Sequence, residues 1–160
     1  RVLFRSMRRA NFLASQVVAR LVFLVAEVVA IVAFGVFVLG VPFRGDVVSF
    51  AVLCLLGAAC FSGLGLLVAS RATTIEGVSG LMNFVMMPMW LLSGVFFSYE
   101  RFPEFLHPLI RLLPLTALND ALRANMLEGA GLPSLIGPVL VLVVVSVASF
   151  AVALRIFRWR

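Results

Sequence analysis

Four long apolar runs constrain the fold of this chain more than any other feature. They extend over about residues 17–40, 47–69, 78–97 and 134–154. A helix that crosses the hydrocarbon core of a bilayer needs about 20 mostly apolar residues, and each run reaches that length. The chain is 63% hydrophobic and only 12% charged, whereas an average soluble domain is about 45–50% apolar and about 25% charged. The sequence therefore predicts an integral membrane protein with four spans.

The apolar runs indicate helices rather than strands. In the strands of a membrane barrel, apolar and polar residues alternate over segments of about ten residues. The runs in this chain are instead apolar at almost every position. They are also too apolar for helices that lie with one face in water. We therefore predict an all-α polytopic membrane helix bundle, with one transmembrane domain over residues 7–160.

The basic residues, all of them Arg, lie mainly at the ends of the apolar runs. Arg residues in these positions typically fix the orientation of a membrane protein in the bilayer. Their distribution argues against nucleic-acid binding, which needs a basic patch on one soluble face. If all four runs cross, the positive-inside rule places both termini in the cytoplasm. One side then carries Arg8, Arg9, Arg20, Arg71, Arg155, Arg158 and Arg160 with Glu76, and the other carries Arg44, Arg101, Arg111 and Arg123 with Asp46, Glu100, Glu104, Asp120 and Glu128.

The segment between the last two spans is neither a hydrophilic loop nor a full span. Residues 103–111 and 114–128 each have the pattern of a short helix, with Pro103 and Pro114 suited to a first turn and Gly129 suited to the position after the last turn. In the second piece, apolar residues recur every three or four positions, which predicts an amphipathic helix too short to cross a bilayer. We predict an external re-entrant hairpin over residues 102–128. Two helices lying flat on the membrane surface are the alternative.

The sequence contains no group of residues suited to catalysis or metal binding. It has no GxxxxGK[ST] run to hold nucleotide phosphates, and His107 is the only histidine. Cys54 and Cys60 are six residues apart on a helix and point to different faces. We therefore expect no enzyme activity, no metal site and no bound cofactor in this chain.

Two polar residues interrupt the apolar spans, Glu27 in the first and Asn83 in the third. A carboxylate in the middle of a span costs about 2.5–3.5 kcal/mol on insertion scales, so it is expected to face protein or water. Glu27 is either part of a substrate or proton path, or a protonated acid that hydrogen-bonds a neighbouring helix, for instance at Asn83. The sequence leaves both interpretations open.

A longer stretch, residues 80–123, resembles the type-2 permease family of ABC exporters. Three parts carry the resemblance: Ser-Gly-Val-Phe-Phe at the end of a span (Ser93–Phe97), a Pro-containing segment (Phe102–Pro108), and Leu-Pro-Leu-Thr (Leu113–Thr116) at the start of a helix with Arg123. The preceding residues 63–77 also fit the family pattern. The resemblance extends over almost all of the chain after Met7.

The resemblance implies six spans per subunit, two subunits per transporter and a separate or fused ATP-binding domain. The four spans of this chain correspond to the last four of the family, which predicts an N-terminally truncated permease. Arg1–Ser6 (RVLFRS) match one reading frame of a common sequencing adapter, and we expect them to be an artefact.

The resemblance also assigns roles to residues. Arg8, Arg9, Asn11 and Phe12 correspond to the family's cytoplasmic coupling segment, which docks on the ATPase; the alternative is that these Arg residues bind anionic lipid head groups. The positions expected to form the external gate or re-entrant segment are Ser93, Gly94, Pro103, Pro114, Leu115, Thr116, Asn119 and Arg123.

The resemblance, together with the four spans, implies the permease subunit of an ATP-driven exporter in the bacterial inner membrane, moving a drug, a lipid or a lipid-linked glycan. The expected partners are an ABC ATPase subunit that binds ATP and Mg²⁺, a second permease subunit, and membrane lipid. One alternative is a non-transporting accessory or immunity protein, or a truncated permease remnant. A weaker alternative is a proton-driven secondary transporter that uses Glu27.

Overall fold

The computed structural model describes residues 9–71, 74–94 and 103–156, with the side chains of residues 9–14, 16 and 17 left out. Every regular element in these ranges is helical, so the predicted all-α polytopic bundle is confirmed. The elements are α1 (Arg9–Phe37), α2 (Val47–Ala69), α3 (Ile75–Leu92), a 3₁₀ turn (Glu104–Leu106), α4 (His107–Arg111), α5 (Pro114–Arg123), a π-helical turn (Ala124–Glu128), a second 3₁₀ turn (Leu132–Leu135) and α6 (Ile136–Ile156).

Four helical segments of the described chain are long and apolar enough to cross a membrane: Val18–Phe37, Val47–Ala69, Ile75–Leu92 and Leu132–Ile156. At most of their ends, these segments differ from the predicted apolar runs by a few residues. Helix α2 coincides with the predicted run of residues 47–69. The third predicted run continues to Phe97, which lies outside the described residues.

The chain divides into two units, residues 1–42 and residues 43–160. In the first unit, α1 ends at Phe37 and is followed by Gly40 at φ +66°, a left-handed conformation that glycine adopts without strain. The Val41 N–H donates to the Gly35 carbonyl at 3.0 Å, which satisfies one of the last carbonyls of the helix. This glycine stop explains why the helix ends before the predicted residue 40.

In the second unit, α2, α5 and α6 pack together around a small core. One cluster contains Leu53, Ala121 and Leu135, and the other contains Cys60, Ala117 and Leu142. Many other large apolar side chains on the spans are exposed, which suits surfaces that contact lipid. No residue of α3 is buried. The helix-packing core therefore lies between α2, α5 and α6.

Small residues bring α5 close to its neighbours. Ala117 and Ala121 are buried, whereas Leu118 and Leu122, which belong to the predicted apolar stripe, are only half-buried. Small side chains let helix backbones approach one another, and this is the typical way in which helices associate in membranes. The alanine face rather than the leucine stripe is thus the main packing face of α5.

An aspartate caps the N-terminus of α2. The Asp46 carboxylate accepts hydrogen bonds from the Ser49 N–H at 2.9 Å and from the Ser49 hydroxyl at 3.0 Å. These two bonds, with a further one from the Val48 N–H, hold the pKa of Asp46 below its ordinary value of 3.8. Asp46 therefore stabilises the start of this helix as a charged cap.

We expect Asp46→Ala to lower the thermal stability of the protein in detergent at neutral pH, and Asp46→Asn to retain most of it because asparagine also caps helices. A carboxyl with a depressed pKa in the folded state contributes stability that is present above its unfolded pKa and is lost as the pH falls through the folded pKa. Below pH 3.8 the wild type should therefore approach the alanine variant. The measurement is the melting temperature against pH by size-exclusion chromatography of heated samples. An alanine variant that melts with the wild type at neutral pH would contradict the prediction.

Candidate functional site

The segment between α3 and α6 is built from short helices that turn sharply at prolines. Pro103 precedes the first 3₁₀ turn, with φ −54° and ψ 141°, and so lies just before the helix rather than in its first turn as expected. Pro114 occupies the first turn of α5, where its missing N–H leaves no hydrogen bond unmade. Gly129 has φ +73° and ends the π-helical turn in a left-handed conformation.

A cavity of about 750 Å³ lies beside this segment. Helices α4 and α5 form one wall, and the first turns of α6 form the other. The cavity combines four ionisable side chains with an apolar surface. Its lining residues are Glu104, His107, Pro108, Arg111, Leu112, Ala117, Asp120, Gly137, Pro138 and Val141.

The electrostatics of the cavity centre on Asp120, which is half-buried. Burial raises the pKa of the Asp120 carboxyl above its ordinary value of 3.8, while the positive charges of Arg123 and then Arg111 oppose this rise. Arg111 and Asp120 both line the cavity, so charges of opposite sign face the same space.

Several polar side chains of the segment are fully buried. Thr116 and Asn125 have no exposed surface, and Ser93 at the end of α3 is 2% exposed. The Ser93 hydroxyl donates to the Trp90 carbonyl at 3.1 Å. Within the described parts of the chain, Thr116 Oγ1, Asn119 Nδ2 and Asn125 Oδ1 make no hydrogen bond. A buried polar atom without a partner costs about 1–3 kcal/mol, so these atoms reduce the stability of the segment.

The far end of the segment is held against the start of α2 by contacts that we call the connector clamp, formed by residues 44–45 and 125–130. The Arg44 N–H donates to the Met126 carbonyl at 2.8 Å, and Asn125 Nδ2 donates to the Ala130 carbonyl at 2.8 Å. Gly45 packs directly on Asn125, leaving no room for a side chain. All but the first residue of the π-helical turn lie within this clamp, and such turns often occur at functional positions.

The predicted gate residues lie just after α3, just before the first 3₁₀ turn and along α5. Ser93 and Gly94 follow α3, and Gly94 has φ +78°. Pro114 and Thr116 are buried in α5, while Arg123 is exposed at its end. Leu115 and Asn119 are half-buried on the same helix. None of these residues lines the cavity, and their role in gating stays a prediction.

The other predicted site residues lie on α1, on α3 or outside the described part. The α1 helix includes Arg9, Asn11 and Phe12 in its backbone, but their side chains lie outside the description, as do Arg8 and Arg1–Ser6 entirely. Glu27 is exposed on α1 and Asn83 is exposed on α3. These two helices belong to separate units, so the hydrogen bond between Glu27 and Asn83 stays a prediction.

Comparison with known proteins identifies the family. A model described as "ABC-2 type transporter" matches residues 1–127, which is most of the chain. The chain belongs to this family. The resemblance to the type-2 permeases of ABC exporters is thereby confirmed. The matched region of this ABC-2 chain includes α1 to α5 and stops before α6.

Two curated relatives of the ABC-2 chain are named "Inner membrane transport permease YhhJ", one from Escherichia coli (strain K12) and one from Shigella flexneri. Each is 27% identical over 121 residues, which is 76% of this chain but only 32% of the relative. The aligned part therefore spans about a third of the length of these relatives. No solved structure matches. The comparisons support an ABC-2 permease that is integral to the membrane.

Proposed function

We propose that this chain is part of the permease subunit of an ATP-driven exporter in the bacterial inner membrane. The family match over residues 1–127, combined with four helical segments able to span a membrane, carries this proposal. The subunit moves a hydrophobic or amphiphilic substrate, such as a drug, a lipid or a lipid-linked glycan, out of the cytoplasm. It works with an ABC ATPase and with a second permease subunit.

The distribution of charge supports an orientation with both termini in the cytoplasm. Arg20, Arg71 and Arg155 lie at span ends on one side, where Glu76 is the only acid. On the other side, Asp46, Glu104, Asp120 and other acids offset the Arg residues. The positive-inside rule assigns the Arg-rich side to the cytoplasm. The short-helix segment and its cavity then face the outside.

In the proposed mechanism, ATP hydrolysis takes place on the partner ATPase, which holds the nucleotide and Mg²⁺. The segment with Arg8, Arg9, Asn11 and Phe12 transmits the movement of the ATPase to α1. The apolar surface for an amphiphilic substrate is supported by the exposed side chains of α3, among them Phe84, at 76% exposed, and Met87, at 65% exposed.

The coupling segment gives a direct test of the proposal. When the full-length permease is purified from its native membranes, we expect an ATPase with a GxxxxGK[ST] motif to co-purify. Arg8→Ala combined with Arg9→Ala should weaken the affinity for the ATPase by a factor of about one hundred or more, because each lost charge-assisted hydrogen bond is worth about 1.5–3 kcal/mol and about 1.4 kcal/mol corresponds to a factor of ten. The control is Arg155→Ala in the last turn of α6, a change outside the coupling segment.

Inverted membrane vesicles provide the second measurement. Vesicles that contain the permease and the ATPase should take up a fluorescent amphiphile when ATP is added, and the double variant should not. Absence of an associated ATPase, together with absence of ATP-dependent uptake, would contradict the exporter proposal and favour a non-transporting accessory protein. Unchanged ATPase binding in the double variant would contradict only the coupling role of Arg8 and Arg9.

A further inference from the structure

The cavity beside α4 and α5 has a composition that the transport cycle alone does not require. Its lining includes two carboxylates, Glu104 and Asp120, with the Arg111 guanidinium and the His107 imidazole. The lining also includes apolar side chains, among them Leu112 and Val141. The volume of about 750 Å³ falls within the range of about 300–1,000 Å³ that small-molecule sites occupy.

The charges in the cavity suit a ligand that carries both signs. A site for a simple anion would collect Arg residues without acids, whereas here Arg111 shares the space with Asp120 and the two groups interact electrostatically. The guanidinium fits a phosphate group, for which its planar donors are well arranged. The carboxylates fit an ammonium group, which offers three N–H donors.

The position of the cavity along α6 indicates where such a ligand comes from. Gly137 and Val141 line the cavity near the beginning of the span Leu132–Ile156. At 1.5 Å per residue they lie roughly 8 Å and 14 Å from the start of that span. The span is about 37 Å long at this rise, somewhat longer than the hydrocarbon core of about 30 Å, so both residues lie in the half of the span nearest one membrane surface.

We propose that this cavity binds a phospholipid with a zwitterionic phosphoethanolamine head group. Arg111 binds the phosphate, Asp120 and Glu104 accept hydrogen bonds from the ammonium group, and the apolar surface at Leu112 and Val141 contacts the first part of the acyl chains. A choline head group lacks N–H donors and a glycerol head group lacks the positive charge, so both bind more weakly. The site is independent of the transported substrate and of the proposed export direction.

Native mass spectrometry of the detergent-purified protein tests the proposal. The protein is incubated with equal amounts of palmitoyl-oleoyl phosphatidylethanolamine, phosphatidylcholine and phosphatidylglycerol. We expect phosphatidylethanolamine adducts to exceed each of the other two about tenfold. Asp120→Asn should abolish this excess because it removes an acceptor for the ammonium group, whereas Arg111→Gln should lower the adducts of all three lipids because each carries the phosphate. The matched controls are Arg44→Gln and Glu128→Gln, which change the same charges at exposed positions that do not line the cavity.

Each outcome decides for or against the site. Equal adducts of the three lipids in the wild type, or loss of the excess in a control variant, would overturn the proposal. If Asp120→Asn does not fold, Glu104→Gln, which removes the other carboxylate at an exposed position, decides the question by loss of the excess. Soluble glycerophosphoethanolamine is expected to form no adducts, because it lacks acyl chains. Adducts with this molecule would indicate a soluble ligand and would overturn the proposal that the cavity binds a phospholipid.

Discussion

Replacing Gly45 with alanine is expected to destabilise the protein by on the order of 3 kcal/mol, through overpacking and a lost hydrogen bond. A methyl group at this position would lie 2.7 Å from Cγ of Asn125 and still closer to its side-chain and backbone oxygens. The backbone has little freedom to move away, because the neighbouring Arg44 N–H is bonded to the Met126 carbonyl at 2.8 Å. The new methyl group therefore opens the connector clamp.

The measurement is the midpoint of unfolding by SDS in mixed micelles, followed by loss of helical circular dichroism. Gly57→Ala is the matched control. Its methyl group would meet Cδ2 of Leu118 at 2.6 Å, but this atom is the end of a flexible side chain and can move aside. A Gly45→Ala variant that unfolds with the wild type, or that loses less than Gly57→Ala, would show that the clamp does not hold the segment.

Replacing Leu142 with alanine is expected to cost about 2–5 kcal/mol, the usual range for a buried leucine whose removal leaves a cavity. Leu142 is fully buried in α6, where it packs with Cys60 and Ala117. This cluster joins α2, α5 and α6, so its loss weakens the contact among all three helices.

Leu140→Ala is the control, because Leu140 lies on the same helix and is 56% exposed. Lipid tails are as apolar as leucine, so truncation of an exposed side chain costs little in a membrane. Both variants are compared with the wild type by the same SDS titration. Equal midpoints for Leu142→Ala and Leu140→Ala would mean that the core of the second unit does not control stability.

The helical class could be predicted from the sequence, because a backbone in lipid must satisfy its own hydrogen bonds and long apolar runs can do this only as helices. Local signals at the short helices were equally informative. Pro114 lies at the start of α5 and Gly129 follows the π-helical turn. Both positions depend only on the backbone angles that the single residue favours. Such features need no knowledge of distant contacts.

The packing face of α5 could not be predicted in the same way. Hydrophobicity favours Leu118 and Leu122, but close approach of helices selects Ala117 and Ala121, and only the partner helices reveal which effect is larger. The sequence predicts the helix stop at Gly129 but does not predict the clamp. A glycine such as Gly45 in a loop gives no sign of the distant asparagine that it contacts.

The cavity could not be predicted either, because its two walls come from separate parts of the sequence. The charge pattern assigns Arg111 and Asp120 only to a side of the membrane, and Gly137 and Val141 belong to an unremarkable apolar run. The ionisable residues among the apolar residues of α4 and α5 are the sequence feature that could indicate a polar site in this segment. Their common orientation toward α6 is a property of the tertiary structure.

The connector clamp also has a consequence for biosynthesis. About 80 residues separate Gly45 from Asn125, and ribosomes add about 5–20 residues per second. The start of α2 is therefore synthesised roughly 4–16 s before the asparagine that will cover it. During this interval α2 and α3 enter the membrane without the final contact, and closure of the clamp marks the moment at which the newly made segment is joined to helices already in place.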